Sequence, residues 1–274
     1  MPKIGSSMLA FPDFRGATRR LILINLAAYF ALLLFSLASS AAASRIAANL
    51  VFDPFAFIHG ALWQPVTYSL VHLGILGTLF ELLSLWFLTG FLERYHNANW
   101  VTSLYAVSVL GSAIAALALF VIANSLAPSL LLSANPLYGC FGGVFGLLAA
   151  IALLYGDVQF MLFPFPIGIK ARYLVIIYAL VAVAMLFGQE KMYAFAQLGG
   201  ALAGLAWVRL APRRGSSVLF SETWYGMRNR YYRWKRRRAA RKFEVYMRSQ
   251  GRTVRFDGQG RQIDDDPNDK KRWN

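Results

Sequence analysis

Cysteine is almost missing from this chain. Cys140 stands alone among 274 residues, which excludes an internal disulfide and any site built from several thiolates. Acidic residues are scarce too, 13 against 28 lysines and arginines, for a net charge of +15. Long stretches lack charge of either sign, and that lack excludes an ordinary soluble domain. Hydrophobic residues make up 57% of the sequence and the mean hydropathy is +0.46, more apolar surface than one soluble core of this length buries. Several runs approach the roughly 20 residues that cross a bilayer as helix. The first is too long for a signal peptide and lacks a cleavage signature. No metal and no cofactor is expected from this composition.

What is present predicts an all-α membrane protein with three parts. Residues 1–20 form a basic N-terminal segment with Lys3, Arg15, Arg19 and Arg20. Residues 21–210 hold six apolar helices, at about 21–43, 66–91, 100–123, 139–155, 173–187 and 192–210. An aromatic-rich connector, 44–65, is amphipathic and suits the membrane interface. Pro164 and Pro166 stop any helix in the connector between the fourth and fifth segments. Residues 211–274 form a basic tail, and 18 lysines and arginines lie between Arg213 and Asn274. Six spans put both termini on one side. The lead-in, Arg94, Lys170, Arg172 and the tail lie on that side, against Arg45 and Lys191 opposite. By the positive-inside rule both termini are cytoplasmic.

Glycines punctuate two of the apolar runs. Gly142 and Gly146 are four apart in "GCFGGVFG", and Gly200 and Gly204 are four apart in "AQLGGALAG". Each pair shares a helix face. Small residues at that spacing let two backbones pack closely in a membrane. Tight packing of the fourth and sixth helices accounts for them without any chemistry.

The letters around the glycines carry a resemblance. "GCFGGVFGLLAA" resembles the serine-bearing GxSGxxxG segment of the rhomboid intramembrane proteases. "AQLGGALAG" is similar to their AHxGGxxxG segment, and Leu70–Glu93 is similar to their second helix with its HxxxxHxxxN pattern. The resemblance spans about residues 15–210 and implies a six-helix rhomboid-like bundle. It also implies a bacterial plasma membrane location, since the terminal "DDDPNDKKRWN" is similar to extensions on some bacterial rhomboid-like proteins. The serine position of that pattern holds Phe141 and the histidine position holds Gln197. The second-helix positions hold His72, Gly77 and Glu81. A phenyl ring has no lone pair to attack a carbonyl, a glutamine is no base near neutral pH, and Gly77 offers no donor to an oxyanion. Losing nucleophile and base removes nearly all of such an activity. The resemblance therefore implies an inactive member, a pseudoprotease.

Two polar features compete with that reading. Cys140 adjoins Phe141 and His72 comes from a neighbouring helix, so a cysteine–histidine pair is an alternative catalytic arrangement. About 100° of helical rotation separates positions 140 and 141, however, and a buried cysteine is commonly an apolar filler. Glu81 is ionisable within an apolar run. It is either a hydrogen-bonded tie to a neighbouring helix or a polar feature that engages a partner.

The tail predicts a helix over 221–250, with Ser221 or Thr223 as cap and Gly251 as stop. Arg233, Lys235, Arg236, Arg237 and Arg238 interleave with aromatic residues, a mixture that suits anionic lipid headgroups. Nucleic acid is the less favoured partner. An Asp257-Gly258 turn suggests a small hairpin. Asp264, Asp265, Asp266 and Asp269 lack EF-hand spacing and are read as solvated. The expected function is lateral binding of transmembrane segments of client proteins without proteolysis. The alternatives are an active intramembrane endopeptidase, serine-type or using Cys140 and His72, and a membrane anchor for a lipid- or RNA-binding tail.

Overall fold

A computed structural model of the chain describes residues 12–126, 136–162, 167–188, 190–210, 217–251, 255–256 and 262–263. The chain forms two compact units, Met1–Gly215 and Ser216–Asn274. About four-fifths of the described residues are helical.

In the first unit, helix α1 (Gly16–Ala38) ends at Ser39, whose extended backbone breaks the run. Ser39 then caps α2 (Ser40–Leu50), accepting from the Ala42 N–H at 3.3 Å. The sequence predicts one helix to residue 43, so this kink is a correction. A serine can offer its oxygen to a downstream N–H and start a new helix. Helix α3 (Pro54–Ile58) begins on an Asp53 cap with proline in the first turn. Helix α4 (Gln64–Thr67) passes into a 3-10 turn, Tyr68–Leu70. The long helix α5 spans Ile75–Glu93. The expected start at residue 66 is therefore wrong by nine residues, because Gly74, at φ 81°, interrupts the chain. Helix α6 (Ala98–Leu126) follows a turn in which Asn97 accepts from the Trp100 N–H at 2.8 Å.

Helix α7 (Phe141–Tyr155) is buried from Gly142 through Ile151. The connector after it is a β-hairpin, β1 (Gln159–Leu162) against β2 (Ile167–Lys170), pairing Gln159 with Lys170. Pro164 and Pro166 lie outside the described residues. Helices α8 (Ala171–Met185) and α9 (Lys191–Leu210) complete the unit.

Two ties fix the ends of these helices. The Glu93 carboxylate accepts from Ala17 N at 2.6 Å, Thr18 N at 3.1 Å and the Thr18 hydroxyl at 2.6 Å. A carboxylate from the end of α5 thus satisfies N–H groups that the first turn of α1 leaves unpaired. His96 Nε2 lies 3.1 Å from the Tyr155 hydroxyl, and the His96 ring stacks on Trp100 at 3.9 Å. The end of α7 therefore sits beside the α5–α6 turn.

Among the described residues, three helices are long and apolar enough to cross a membrane: α1, α5 and α6. Six were expected. Helices α7 and α8 have 15 residues each, about 22 Å of helix against a hydrocarbon core of about 30 Å. Helix α9 has the length, but Lys191, Gln197, Arg209 and its glycines dilute its apolar character.

In the second unit, α10 (Ser217–Ser249) starts four residues before the expected position and ends near Gly251, at φ 73°. Strands β3 (Arg255–Phe256) and β4 (Gln262–Ile263) pair antiparallel. The Asp257-Gly258 turn and the aspartates at 264–269 lie outside the described residues.

Candidate polar site at the start of α7

The α6–α7–α9 contact is made of backbone and very small side chains. A Cβ added to Gly200 would fall on the Gly142 carbonyl oxygen, and one on Gly204 would fall 2.6 Å from the Gly146 oxygen. From α6, Ser112 faces Gly142 and Ser108 faces Gly146. Ser112 donates to the Ala196 carbonyl at 2.6 Å, crossing from α6 to α9. The structure thus brings Gly142 to Gly200 and Gly146 to Gly204.

Polar side chains gather where α7 begins. Cys140 is the residue before the helix and is fully buried. Its N–H donates to Glu81 Oε2 at 2.8 Å. Glu81, on α5, is 6% exposed. The same oxygen lies 3.0 Å from His72 Nδ1, without an aligned hydrogen bond between them. His72 Nε2 lies 2.9 Å from Asn25 Oδ1 on α1. The Asn25 amide donates to the Leu21 carbonyl at 2.7 Å, so its oxygen is the atom that faces histidine.

Gly139 makes this packing possible. It has φ 85°, and a Cβ there would stand 2.7 and 2.8 Å from the two Glu81 oxygens. Its N–H points instead to the Tyr68 and Val71 carbonyls at 3.0 and 2.8 Å. Tyr68 donates its hydroxyl to the Val109 carbonyl at 2.9 Å. The cluster therefore joins α1, the segment before α5, α5, α6 and the start of α7.

The expected site residues fall into different places. His72, Glu81 and Cys140 come together, their donor atoms all within 4.8 Å of one another. His72 lies in the segment before α5, so it does not share a helix face with Gly77 and Glu81. Gly77 is exposed, with nothing within 4 Å of an added Cβ. Phe141 is half-buried and opens α7; Gln197 is 8% exposed on α9. Cys140 precedes the helix at φ −93°, ψ 9°, so the helical rotation expected between positions 140 and 141 does not describe it. The two histidine nitrogens face Asn25 and Glu81, with the thiol sulfur within 4.8 Å of the ring's ligand nitrogen. Asn25 and Gly139 are the participants that sequence reasoning missed. The signal for Asn25 was an amide inside an otherwise apolar run.

A match over residues 23–221 is found to the family described as eukaryotic integral membrane protein (DUF1751). The chain belongs to this family. The match overturns the assignment to the rhomboid proteases and, because the family is described as eukaryotic, the bacterial location. The motifs that suggested otherwise are small-residue contacts, which close helix packing in any membrane bundle selects. No curated protein matches the chain. For this eukaryotic family member the membrane setting is established, and the cluster at the start of α7 is read from its own geometry.

On α10, Arg233, Lys235, Arg236 and Arg238 are exposed, as are Tyr231, Tyr232, Trp234 and Tyr246. The Arg238 guanidinium lies 5.4 Å from the centre of the Trp234 ring. The Arg237 side chain lies outside the described residues.

Proposed function

We propose that this chain is a six-span, non-catalytic membrane protein that binds transmembrane helices of client proteins at an open glycine of α5. One observation carries the client reading. Gly90, Gly111, Gly142, Gly143, Gly146, Gly199, Gly200 and Gly204 all meet neighbouring atoms where a Cβ would be, and Gly77 meets none. Around it Leu73, Ile75, Leu76, Leu79 and Phe80 are all more than half exposed. A glycine on a lipid-facing surface lets a second helix approach its backbone. The burial of His72 and Cys140 supports the absence of catalysis.

The six-span reading draws on the buried position of α7 within the bundle, where a short helix need not meet lipid over its full length. Its orientation draws on the two end ties. Glu93 gathers Arg15, Arg19, Arg20 and Arg94 at one end, and the His96–Tyr155 contact adds Lys170 and Arg172 to that end. A concentration of cations at one end favours the cytoplasmic side, with residues 211–274 as a cytoplasmic tail. Its exposed cations and aromatics favour anionic headgroups, with Arg233, Lys235, Arg236, Arg237 and Arg238 as the contacting run.

The client reading is tested by a photo-crosslinking amino acid at position 77 or 80 in cells, with position 104 inside the bundle as control. Capture of single-pass helices at 77 and 80, reduced by Gly77→Leu, is the expected result. Equal labelling at all three positions, or lipid adducts alone, rejects it. For the tail, a nitroxide at Ala239→Cys in the full chain should become shielded in nanodiscs containing phosphatidylserine and stay mobile in neutral ones; equal mobility in both rejects lipid binding.

A further inference from the structure

We propose that His72, Glu81 and Cys140 form a binding site for a divalent transition-metal ion of the zinc type, which clamps the start of α7 to α5 and to the segment before it. The imidazole nitrogen, carboxylate oxygen and thiol sulfur lie within 4.8 Å of one another, and all three residues are buried.

The orientation of Asn25 carries the argument. Its amide is committed to the Leu21 carbonyl, so Oδ1 accepts from His72 and Nε2 carries the proton. A metal-ligating histidine has this pattern, its second nitrogen donating to an oxygen that holds the ring in place. Nδ1 then presents its lone pair 3.0 Å from a carboxylate oxygen, without an aligned hydrogen bond between them. Two electron-rich atoms so placed in an apolar interior are stabilised by a cation between them. A proton shared between them would favour a straight N–H···O line. Nitrogen, oxygen and sulfur atoms within 4.8 Å of one another can instead close around an ion.

The spacing fits. Tetrahedral zinc with nitrogen and oxygen ligands at about 2.0 Å holds those atoms about 3.3 Å apart, close to the 3.0 Å found here. Sulfur at about 2.3 Å stands about 3.5 Å from the other two ligands. The thiol therefore has to close by at most about 1.3 Å from the 4.8 Å limit. Charge fits as well. Binding releases the thiol proton, and a thiolate, a carboxylate and a neutral imidazole around a divalent cation sum to zero, which suits burial within a membrane protein. Mixed nitrogen, oxygen and sulfur ligands are those of zinc rather than of magnesium or calcium. Three protein ligands leave a fourth position for water. Glycine at 139 gives the carboxylate its space, and the Cys140 N–H holds one of its oxygens.

The sole cysteine makes the test specific. The full chain, purified in detergent and stripped with a chelator, is titrated with cobalt(II). One ion per chain with a thiolate-to-cobalt charge-transfer band is expected, because only Cys140 can supply a thiolate. Cys140→Ser should remove the band, and Asn25→Ala should weaken binding about 10–100-fold. Zinc should displace the cobalt and raise the unfolding temperature of the wild-type chain but not of Cys140→Ser. Binding without a sulfur band, as the acidic tail would give, overturns the site, and so does no binding at all. Should Cys140→Ser fail to fold, the wild-type cobalt spectrum decides alone.

Discussion

Gly139→Ala is the sharpest test of how the polar cluster is held. At φ 85° an alanine is strained, at about 1–2 kcal/mol. Its Cβ would also stand 2.7 and 2.8 Å from the Glu81 oxygens, so the carboxylate must withdraw. Withdrawal leaves the Cys140 N–H without its acceptor in a buried place, a loss of about 1–3 kcal/mol. The expected total is about 2–5 kcal/mol. Glu81→Ala alone should cost about 1–3 kcal/mol, since it leaves the buried Cys140 N–H without its acceptor. In that background Gly139→Ala meets no carboxylate and should cost only its strain. The two changes should therefore couple by about 1–3 kcal/mol. Reversible unfolding in mixed micelles, followed by tryptophan fluorescence after chelator treatment so that no bound ion adds to stability, measures the cycle. Gly74→Ala is the reference, since Gly74 has φ 81° with nothing near an added Cβ. Coupling below about 0.5 kcal/mol between positions 139 and 81 would refute the reasoning.

Three further outcomes follow from the same contacts. Glu93→Ala should destabilise by about 1–2 kcal/mol through loss of the α1 cap, with Glu93→Gln retaining part of it; chemical unfolding in detergent reads both, and no loss in either would remove the cap from the account. Gly200→Ala should cost about 1–3 kcal/mol because its Cβ overlaps the Gly142 carbonyl, whereas Gly77→Ala, with open space around it, should be neutral or stabilising by up to about 1 kcal/mol; the opposite order in thermal midpoints would contradict the packing. Burial lowers the pKa of His96 from its ordinary 6.5, so the folded chain takes up that proton less readily than the unfolded chain. Stability should then fall as pH drops below about 6.5 and level off beneath the lowered value. A flatter pH profile of the thermal midpoint in His96→Gln is expected, and an unchanged profile would exclude His96 as the source.

Much of the membrane unit was legible in the residues, but unevenly. The apolar runs around Leu21–Ala38, Leu76–Leu92 and Trp100–Ala123 stand out because crossing lipid demands length and low charge, which are one-dimensional properties. The glycines at 142, 146, 200 and 204 showed through for a similar reason, since helical spacing alone places each pair on one face. The break at Ser39 and the late start of α5 at Ile75 were hidden, because apolar composition continues across both and only backbone geometry ends the helix. The hairpin of β1 and β2 was hidden as well, since its pairing depends on residues five to eleven apart meeting across a turn.

The site shows the same division. Sequence by itself determined that this is a membrane-embedded chain with one thiol, one carboxylate within an apolar segment and a basic tail, because composition and hydropathy settle which segments water rejects. Only the tertiary structure decided that Asn25, His72, Glu81 and Cys140 meet, that Gly77 is open while Gly142 and Gly200 are closed, and that Glu93 starts α1. Those facts depend on contacts between residues far apart in the chain, 76 positions for Ala17 and Glu93 and 84 for Ser112 and Ala196, and such meetings are set by how the helices pack rather than by any local pattern.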